Sequence, residues 1–266
     1  MKRLIAAGAA SLLIAGSAVA APVCTLMADA VSGAILARDG AECGAPTTPA
    51  STFKIALALM GFDSGALTDA HAPLWTSGPD DGPAVSDQKR SVNPIEWMRD
   101  SVVWYSRRLT RTLGQEKFQR YVSAFAYGNR DLSGDSGRDN GLTGAWLSSS
   151  LLISPDGQIS FLRRLWNRRL PVSADAYDKT LSIMPPFPLA DGWTVYGKTG
   201  TGFRRKFDGA LDRDRQIGWF VGWAIKGERT VLFARLIRDE GPTDTRAGPR
   251  ARDELLAELP ALLARR

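Results

Sequence analysis

Histidine is nearly absent from this sequence, and its scarcity narrows the chemistry open to the chain. His71 is the only histidine, and it lies in the polar segment Thr68-Asp-Ala-His-Ala-Pro73. No Gly-x-Ser-x-Gly elbow accompanies it, so a Ser-His-Asp triad on that plan is not expected. One histidine and two cysteines are also a poor set of zinc ligands. We therefore expect chemistry that uses neither imidazole nor a metal.

Cysteine is almost as rare as histidine. Cys24 and Cys43 flank a predicted β-hairpin, with strands at 24–29 and 34–38 and a turn at 30–33. Folding back at that turn brings the two thiols together, and disulfides form in exported proteins. We predict a Cys24–Cys43 disulfide; two unpaired, small apolar side chains are the alternative.

Long apolar runs are missing, and the apolar stretch at the N-terminus is short for a membrane span. Lys2 and Arg3 precede this stretch, which ends at Ala18-Val-Ala20. That order predicts a cleaved signal peptide at 1–20, with an uncleaved anchor as the alternative. We expect 21–266 to be a single catalytic domain, exported to the periplasm and free of the membrane after cleavage. A monomer is the default and a dimer the alternative.

Acidic residues are slightly outnumbered, which gives a formal charge of +6 that falls to +4 without Lys2 and Arg3. The arginines recur in pairs without interleaved aromatics or a nucleic-acid motif, as on solvated helix faces. We expect no nucleic-acid partner, although a basic surface can steer anionic substrates.

The order of periodic segments predicts an α+β fold. Helical patterns occupy the middle of the chain, and β-branched and aromatic strands return near the C-terminus, with a tight turn at Gly227-Glu228. The predicted helices are 50–61, 94–100, 115–125, 158–168, 174–183 and 252–264, and the predicted late strands are 193–201, 216–225 and 229–238. We expect an antiparallel sheet built from the N- and C-terminal parts, flanked by helices, with an inserted, mostly helical subdomain and a site at their junction.

The first candidate motif is Ser51-Thr-Phe-Lys54. Residues three apart share a helix face, so the Lys54 amine can reach the Ser51 hydroxyl. The amine must be neutral to accept a proton, and the apolar neighbours favour that form by desolvation. A second Ser-x-x-Lys, Ser86-Asp-Gln-Lys89, lies in a polar loop with nothing to desolvate its lysine. We therefore choose Ser51 and Lys54.

The second motif is Lys198-Thr-Gly200, inside a predicted strand. Alone it reads as an edge-strand lysine beside a bulge glycine. Combined with Ser51 and Lys54, it is the pattern of penicillin-recognising serine enzymes.

Further motifs make the sequence similar to the class D serine β-lactamases of the oxacillinase type, over essentially the whole secreted chain. They are Ser101-Val-Val103, Tyr127-Gly-Asn129, Trp146 in Gly-Ala-Trp-Leu-Ser, and Trp219-Phe-Val-Gly-Trp223. Ser91-Val-Asn93 competes with Ser101, because it fits the Ser-x-Asn element of related enzymes. We prefer Ser101, which follows a predicted helix and precedes an apolar run.

This resemblance implies a mechanism. Ser51 is the nucleophile, and Lys54 is carboxylated by CO2 to N6-carboxylysine and acts as the general base. CO2 or bicarbonate is then the one requirement, with no metal or other cofactor. Ser101, helped by Lys198, passes a proton to the leaving nitrogen, and Trp146 holds the modified lysine. The backbone N–H groups of Ser51 and Thr201 form the oxyanion hole.

The resemblance also assigns substrate contacts and an activity. The residues implied in substrate binding are Val103, Tyr127, Asn129, Thr199, Gly200 and Arg246; Val103 also keeps the lysine pocket dry, and Arg250 competes with Arg246 for the substrate carboxylate. The implied partner is a small-molecule β-lactam, and the implied reaction hydrolyses the amide of penicillins and oxacillin-type antibiotics, conferring resistance. A β-lactam sensor domain and a D-Ala-D-Ala peptidase are the alternatives.

Overall fold

The structure, a computed structural model, describes residues 22–81 and 90–264. The predicted signal peptide and the second Ser-x-x-Lys at Ser86 and Lys89 lie outside the described residues. The elements follow in chain order as β1 Pro22–Asp29, β2 Ile35–Asp39, α1 Lys54–Asp63, β3 Trp75–Thr76, β4 Ser91–Val92, α2 Pro94–Asp100, α3 Val103–Leu113, α4 Gln115–Ala124, α5 Gly141–Gly144, α6 Pro155–Trp166, α7 Ala174–Ser182, β5 Pro186–Pro188, β6 Thr194–Arg205, β7 Leu211–Lys226, β8 Arg229–Arg238 and α8 Ala247–Ala264.

The main sheet joins the two ends of the chain, as the sequence predicts. Its strand order is β2-β1-β8-β7-β6-β5, and every neighbouring pair is antiparallel. Strand β1 pairs with β8, so that Leu26 lies opposite Ala234. The helices from α1 to α7 lie between β2 and β5 in the chain, which confirms the α+β prediction.

The sheet is covered by apolar side chains on both faces. Phe220 and Phe233 pack on one face with the buried side of α8, which includes Leu255 and Leu259. The opposite face packs into a larger core shared with α1 and its neighbours. Since both faces are covered, β8 is buried along nearly its whole length, and its sequence is an apolar run interrupted by the buried Arg235 rather than an alternating pattern.

Helix α3 is missing from the predicted elements, and two other stretches differ from their predicted structure. The segment 203–214, which lies between the predicted strands 193–201 and 216–225, is the far end of a β-hairpin: Arg205 of β6 pairs with Leu211 of β7 beyond a bulge at Phe203. Its charged residues hide the alternation that marks a strand. Residues 50–53 form a 3₁₀ turn, and the α-helix begins only at Lys54.

The N-terminal hairpin carries the predicted disulfide. Cys24 of β1 and Cys43, beyond β2, are bonded with their Cα atoms 5.1 Å apart. Among the residues that the structure describes, no helix is both long enough and apolar enough to cross a membrane.

Candidate active site

The Ser51 side chain is presented by a strained turn. Ala50, the residue before it, has a φ of 48°, a left-handed conformation that a residue with a Cβ rarely adopts. Such strain costs about 1–3 kcal/mol and persists where the surrounding structure enforces it. Lys54 follows one turn later as the first residue of α1, and its Nζ lies 3.0 Å from Ser51 Oγ. The turn therefore brings the predicted nucleophile and base into hydrogen-bond contact.

Lys54 is a fully buried amine. Its relative exposure is 0%, and burial is the main cause that lowers its pKa well below the ordinary lysine value. The nearby cations Lys198 and Arg107 lower the pKa further. This setting therefore favours the neutral amine, the form that proton acceptance or reaction with CO2 requires.

Trp146 has a buried hydrogen-bond donor without an acceptor. Its ring is 0% exposed and packs against Phe53 and Phe118, with centroids 5.7 and 6.2 Å away. Its indole Nε1 makes no hydrogen bond with any residue that the structure describes. A buried polar group without a partner is rare and costly, so it points to an additional acceptor beside Trp146 in the working enzyme.

Thr48 holds this tryptophan against the 3₁₀ turn at residues 50–53, which carries Ser51 and is called the nucleophile turn below. Its hydroxyl donates to the carbonyl of Trp146 and accepts from the backbone N–H of Ser148, both at 2.9 Å. Its own carbonyl accepts from Trp219 Nε1 on β7, also at 2.9 Å. Thr48 thus connects three parts of the fold three residues before Ser51. No functional motif in the sequence marks Thr48, although it belongs to Thr47-Thr48-Pro49, which is a turn signal.

Ser101 and Lys198 meet, as the sequence analysis predicts. Lys198 Nζ donates to Ser101 Oγ at 3.0 Å and to the carbonyl of Thr199 at 3.1 Å. Ser101 ends α2 with a φ of 60° and a ψ of 37°, again left-handed. The pKa of Lys198 is lowered to about 7, chiefly by burial and additionally by Arg252, while Asp100 opposes the shift.

Strand β6 lies against the nucleophile turn because its glycines permit it. A Cβ at Gly200 would lie 2.9 Å from the carbonyl oxygen of Pro49 and 3.1 Å from Thr52 Cγ2. Thr201 follows at this point of closest approach, and its hydroxyl accepts from the backbone N–H of Gly248 at 3.0 Å. The Lys-Thr-Gly segment therefore forms one wall beside Ser51.

The two candidate arginines differ in their surroundings. Arg250 is engaged: its Nη2 lies 2.5 Å from Oδ2 of Asp239, a carboxylate that is only 2% exposed. Arg246 is exposed, and no carboxylate of the described residues pairs with it. Of the two, Arg246 is thus the guanidinium available to an anionic group.

The structure places Tyr127 and Asn129, which the resemblance implies in substrate binding, at different depths. Tyr127 is buried behind the nucleophile turn, edge-on to Phe53 with a centroid distance of 5.0 Å. Asn129 uses its amide to hold its own loop to the segment after Trp146, donating to Ser150 O and accepting from Leu152 N. The Tyr127 ring thus packs in the core, whereas the exposed Asn129 side chain orders its loop. Sequence motifs do not reveal this, because they mark residues and not their depth in the fold.

The structure also shows where Val103 and Ser91, the serine that competes with Ser101, lie. Val103 is half-buried at the first position of α3, two residues beyond Ser101. Ser91 instead bonds Thr76 Oγ1 at 2.6 Å, and Asn93 caps α2 through the backbone N–H of Glu96. The Ser-x-Asn pattern is thus explained by a short strand and a helix cap.

Comparison with known proteins gives the same class as the site. The family model described as the penicillin binding protein transpeptidase domain matches residues 23–261. The chain therefore belongs to this family of serine enzymes.

Similar proteins define more closely which kind of enzyme within this family the chain is. Beta-lactamase OXA-9 of Klebsiella pneumoniae is 47% identical over 241 residues, covering 90% of this chain and 88% of the relative. Beta-lactamase OXA-1 of Escherichia coli is 39% identical over 221 residues, covering 82% and 77%. The crystal structure of the class D β-lactamase OXA-427 matches with a TM-score of 0.84 and 48% identity, covering 91% of this chain and 98% of that one. Within the family, this chain is a class D β-lactamase.

Proposed function

We propose that this enzyme hydrolyses β-lactams through an acyl-Ser51 intermediate, with a carboxylated Lys54 as general base, and thereby confers resistance to penicillins and oxacillin-type antibiotics. The observation that carries the proposal is the pairing of a fully buried Lys54 amine, whose pKa is lowered, with a buried Trp146 N–H that has no acceptor among the described residues.

The residues present fit a carboxylated lysine. Carbamate formation needs an unprotonated amine, and burial favours that form at Lys54 by lowering its pKa. The added carboxylate would accept from Trp146 Nε1, a charge-assisted hydrogen bond that satisfies the buried donor. When present, the group supplies a base for the Ser51 proton and, later, for a water proton.

Acylation uses the geometry around Ser51. As its hydroxyl proton is removed, Ser51 Oγ attacks the lactam carbonyl, and the C–N bond of the ring breaks. The N–H groups of Ser51 and Thr201 are the donors proposed for the oxyanion, and the close approach of Gly200 to Pro49 brings these two residues together. Ser101 gives its proton to the leaving nitrogen and is reprotonated from Lys198, 3.0 Å away. Water then cleaves the ester and frees Ser51.

Substrate binding follows from the available cations. We propose that Lys198, Thr199 and Arg246 hold the carboxylate of the β-lactam, since Arg250 is already paired with Asp239. Gly200 allows the substrate to lie close to the β6 backbone, and Val103 borders the lysine pocket.

Export to the periplasm completes the proposal. The leader pattern at 1–20 and the Cys24–Cys43 disulfide both favour an oxidising compartment. We expect 21–266 to act as one catalytic domain and, by default, as a monomer. Mass spectrometry of the secreted protein should find an N-terminus at Ala21.

A single assay tests the proposed function. With nitrocefin, the enzyme should turn over continuously; one burst per enzyme would indicate a sensor domain, and slow arrested turnover with peptide hydrolysis would indicate a D-Ala-D-Ala peptidase. Acid treatment should abolish turnover by releasing CO2, and bicarbonate should restore it. If bicarbonate has no effect on the acid-treated enzyme, Lys54 acts as a simple amine.

A further inference from the structure

The side chain of Gln216 forms hydrogen bonds with the residues on either side of the exposed Arg246. It is buried on β7, opposite Phe203 of β6. Its Nε2 donates to the carbonyl of Thr245 at 3.2 Å, and its Oε1 accepts from the backbone N–H of Ala247 at 3.0 Å. One side-chain amide therefore fixes the peptide groups before and after Arg246.

A buried charge pair anchors the same segment. Gln216 Nε2 also donates to Thr243 Oγ1 at 2.9 Å, and Thr243 Oγ1 donates to Asp239 Oδ2 at 3.2 Å. Asp239 in turn pairs with Arg250 on α8. Because Asp239 lies at the beginning of the 239–250 segment and Arg250 at its end, the backbone that carries Arg246 is held at both ends and in the middle.

The 239–250 segment lies against β6, the strand that carries Lys198. The backbone N–H of Gly248, two residues after Arg246, donates to Thr201 Oγ1 at 3.0 Å. A Cβ at Gly248 would lie 2.8 Å from the carbonyl oxygen of Gly200, so the contact is close. The position of Arg246 relative to Lys198-Thr-Gly200 is therefore set by backbone contacts on both sides.

We infer that Gln216 is a positioning residue that aims Arg246 at the substrate carboxylate and thus determines preference for anionic β-lactams. This inference rests on the proposed role of Arg246. A primary amide is required because the site needs a donor and an acceptor on one side chain. Glutamate lacks the donor, and asparagine is one methylene shorter.

The first test is Gln216→Met, which keeps the length of the side chain and removes both polar atoms. We expect KM for a penicillin with a free carboxylate to rise about tenfold, equivalent to about 1.4 kcal/mol, because a misplaced Arg246 would lose most of its contact with the carboxylate. The kcat should stay within about twofold. For the methyl ester of the same penicillin, which Arg246 cannot pair with, KM should not change. A general loss of structure would instead lower kcat for both substrates.

Two further variants keep the test decisive if Gln216→Met folds poorly. Thr243→Val removes one link of the same network and should shift the acid-to-ester preference in the same direction by a smaller factor. Gln119→Ala is the matched control, because the side-chain amide of Gln119, on α4, also donates to a loop carbonyl, that of Arg130. It should leave the preference unchanged.

A double-mutant cycle separates this inference from the proposed function. If Gln216 acts through Arg246, Gln216→Met should have almost no added effect on KM in the Arg246→Ala background. If Arg246→Ala abolishes the acid-to-ester preference but Gln216→Met does not, or if their effects are additive, the inference is overturned. If Arg246→Ala leaves the preference intact, the role of Arg246 fails first and the inference with it, while nitrocefin turnover still tests hydrolysis.

Discussion

Ser101 Oγ and Lys198 Nζ lie 3.0 Å apart although 97 positions separate the two residues in the chain. One belongs to the end of α2 in the helical part, and the other to β6 in the sheet. The contact therefore closes the cleft between the two parts of the fold. In the proposed mechanism, this contact allows Lys198 to reprotonate Ser101 after Ser101 has given its proton to the leaving nitrogen.

Replacing Ser101 by alanine should remove the proton delivery that this contact provides. General-acid groups contribute about 10²–10⁴-fold, so we expect kcat/KM for a penicillin to fall within that range. Ser91→Ala is the matched control, because Ser91 bonds only Thr76 at an exposed strand end, and its activity should remain within about twofold. Comparable losses in the two variants would contradict the assignment of Ser101.

Trp146→Phe should separate the two halves of the reaction. It retains an aromatic ring between Phe53 and Phe118 but lacks the N–H. Loss of a hydrogen bond to a charged group costs about 1.5–3 kcal/mol, so deacylation should slow about 10- to 150-fold. Acylation should slow less, and excess bicarbonate should recover part of the lost rate. Mass spectrometry during turnover should show accumulated acyl-enzyme; equal slowing of both steps would argue against a role in holding the base.

The pKa of Lys198 predicts a pH dependence of substrate binding. Burial lowers this pKa to about 7, so the ammonium form prevails below pH 7 and the neutral amine above it. The KM of a carboxylate-bearing penicillin should therefore rise as the pH increases through 7, whereas the KM of its methyl ester should not. Arg252→Gln removes a cation that lowers the pKa, so the midpoint should move to higher pH. A KM that stays flat between about pH 6 and 9 would rule out an ammonium–carboxylate contact.

The disulfide should stabilise the enzyme without affecting its chemistry. Cys24 and Cys43 are 19 positions apart, and closing a loop of this size stabilises a protein by about 3 kcal/mol. Cys24→Ala with Cys43→Ala should lower the free energy of unfolding by that amount in urea titrations. Its kcat/KM should stay within about twofold, because β8 and β7 separate β1 from β6. Reductant should destabilise the natural chain and leave the double variant unchanged.

Thr48→Val tests whether the fold holds Trp146 in place. The substitution keeps the shape of the side chain and removes its hydrogen bonds to Trp146 and Ser148. We expect the free energy of unfolding to fall by about 1–3 kcal/mol, and Tm to fall by about 2–4 °C for each kcal/mol. Activity should become more dependent on added bicarbonate. Thr112→Val, which removes an exposed hydroxyl bonded to Arg108 O, should change neither property.

The sequence was sufficient to predict the features that depend on spacing and periodicity. The antiparallel sheet, the hairpin at Gly227, and the contact between Ser51 and Lys54 follow from local patterns. The contact between Ser101 and Lys198 depends on a long-range approach, and the motifs alone suggested it. Helix α3 was missed because its arginines and threonines mask an apolar stripe of Trp104, Leu109 and Leu113.

Other features of the site depend on tertiary structure that no local pattern encodes. Left-handed backbone at Ala50 and Ser101 is disfavoured by local sterics and is imposed by the packing around it. The functions of Thr48 and Gln216 depend on backbone groups from distant segments, so neither residue stands in a recognisable motif. Tyr127 is in a motif, but the motif does not say that its ring faces the core.

The hairpin formed by the ends of β6 and β7 has a consequence for how this enzyme can diversify. Its tip at Lys206–Gly209 carries a fully exposed Phe207, whereas its base is fixed to the neighbouring loop by Arg205, which donates to Ser148 O. Insertions or deletions at the tip would leave the backbone from Lys198 to Thr201 in register. The length and sequence of the tip can therefore vary at little risk to the proposed chemistry.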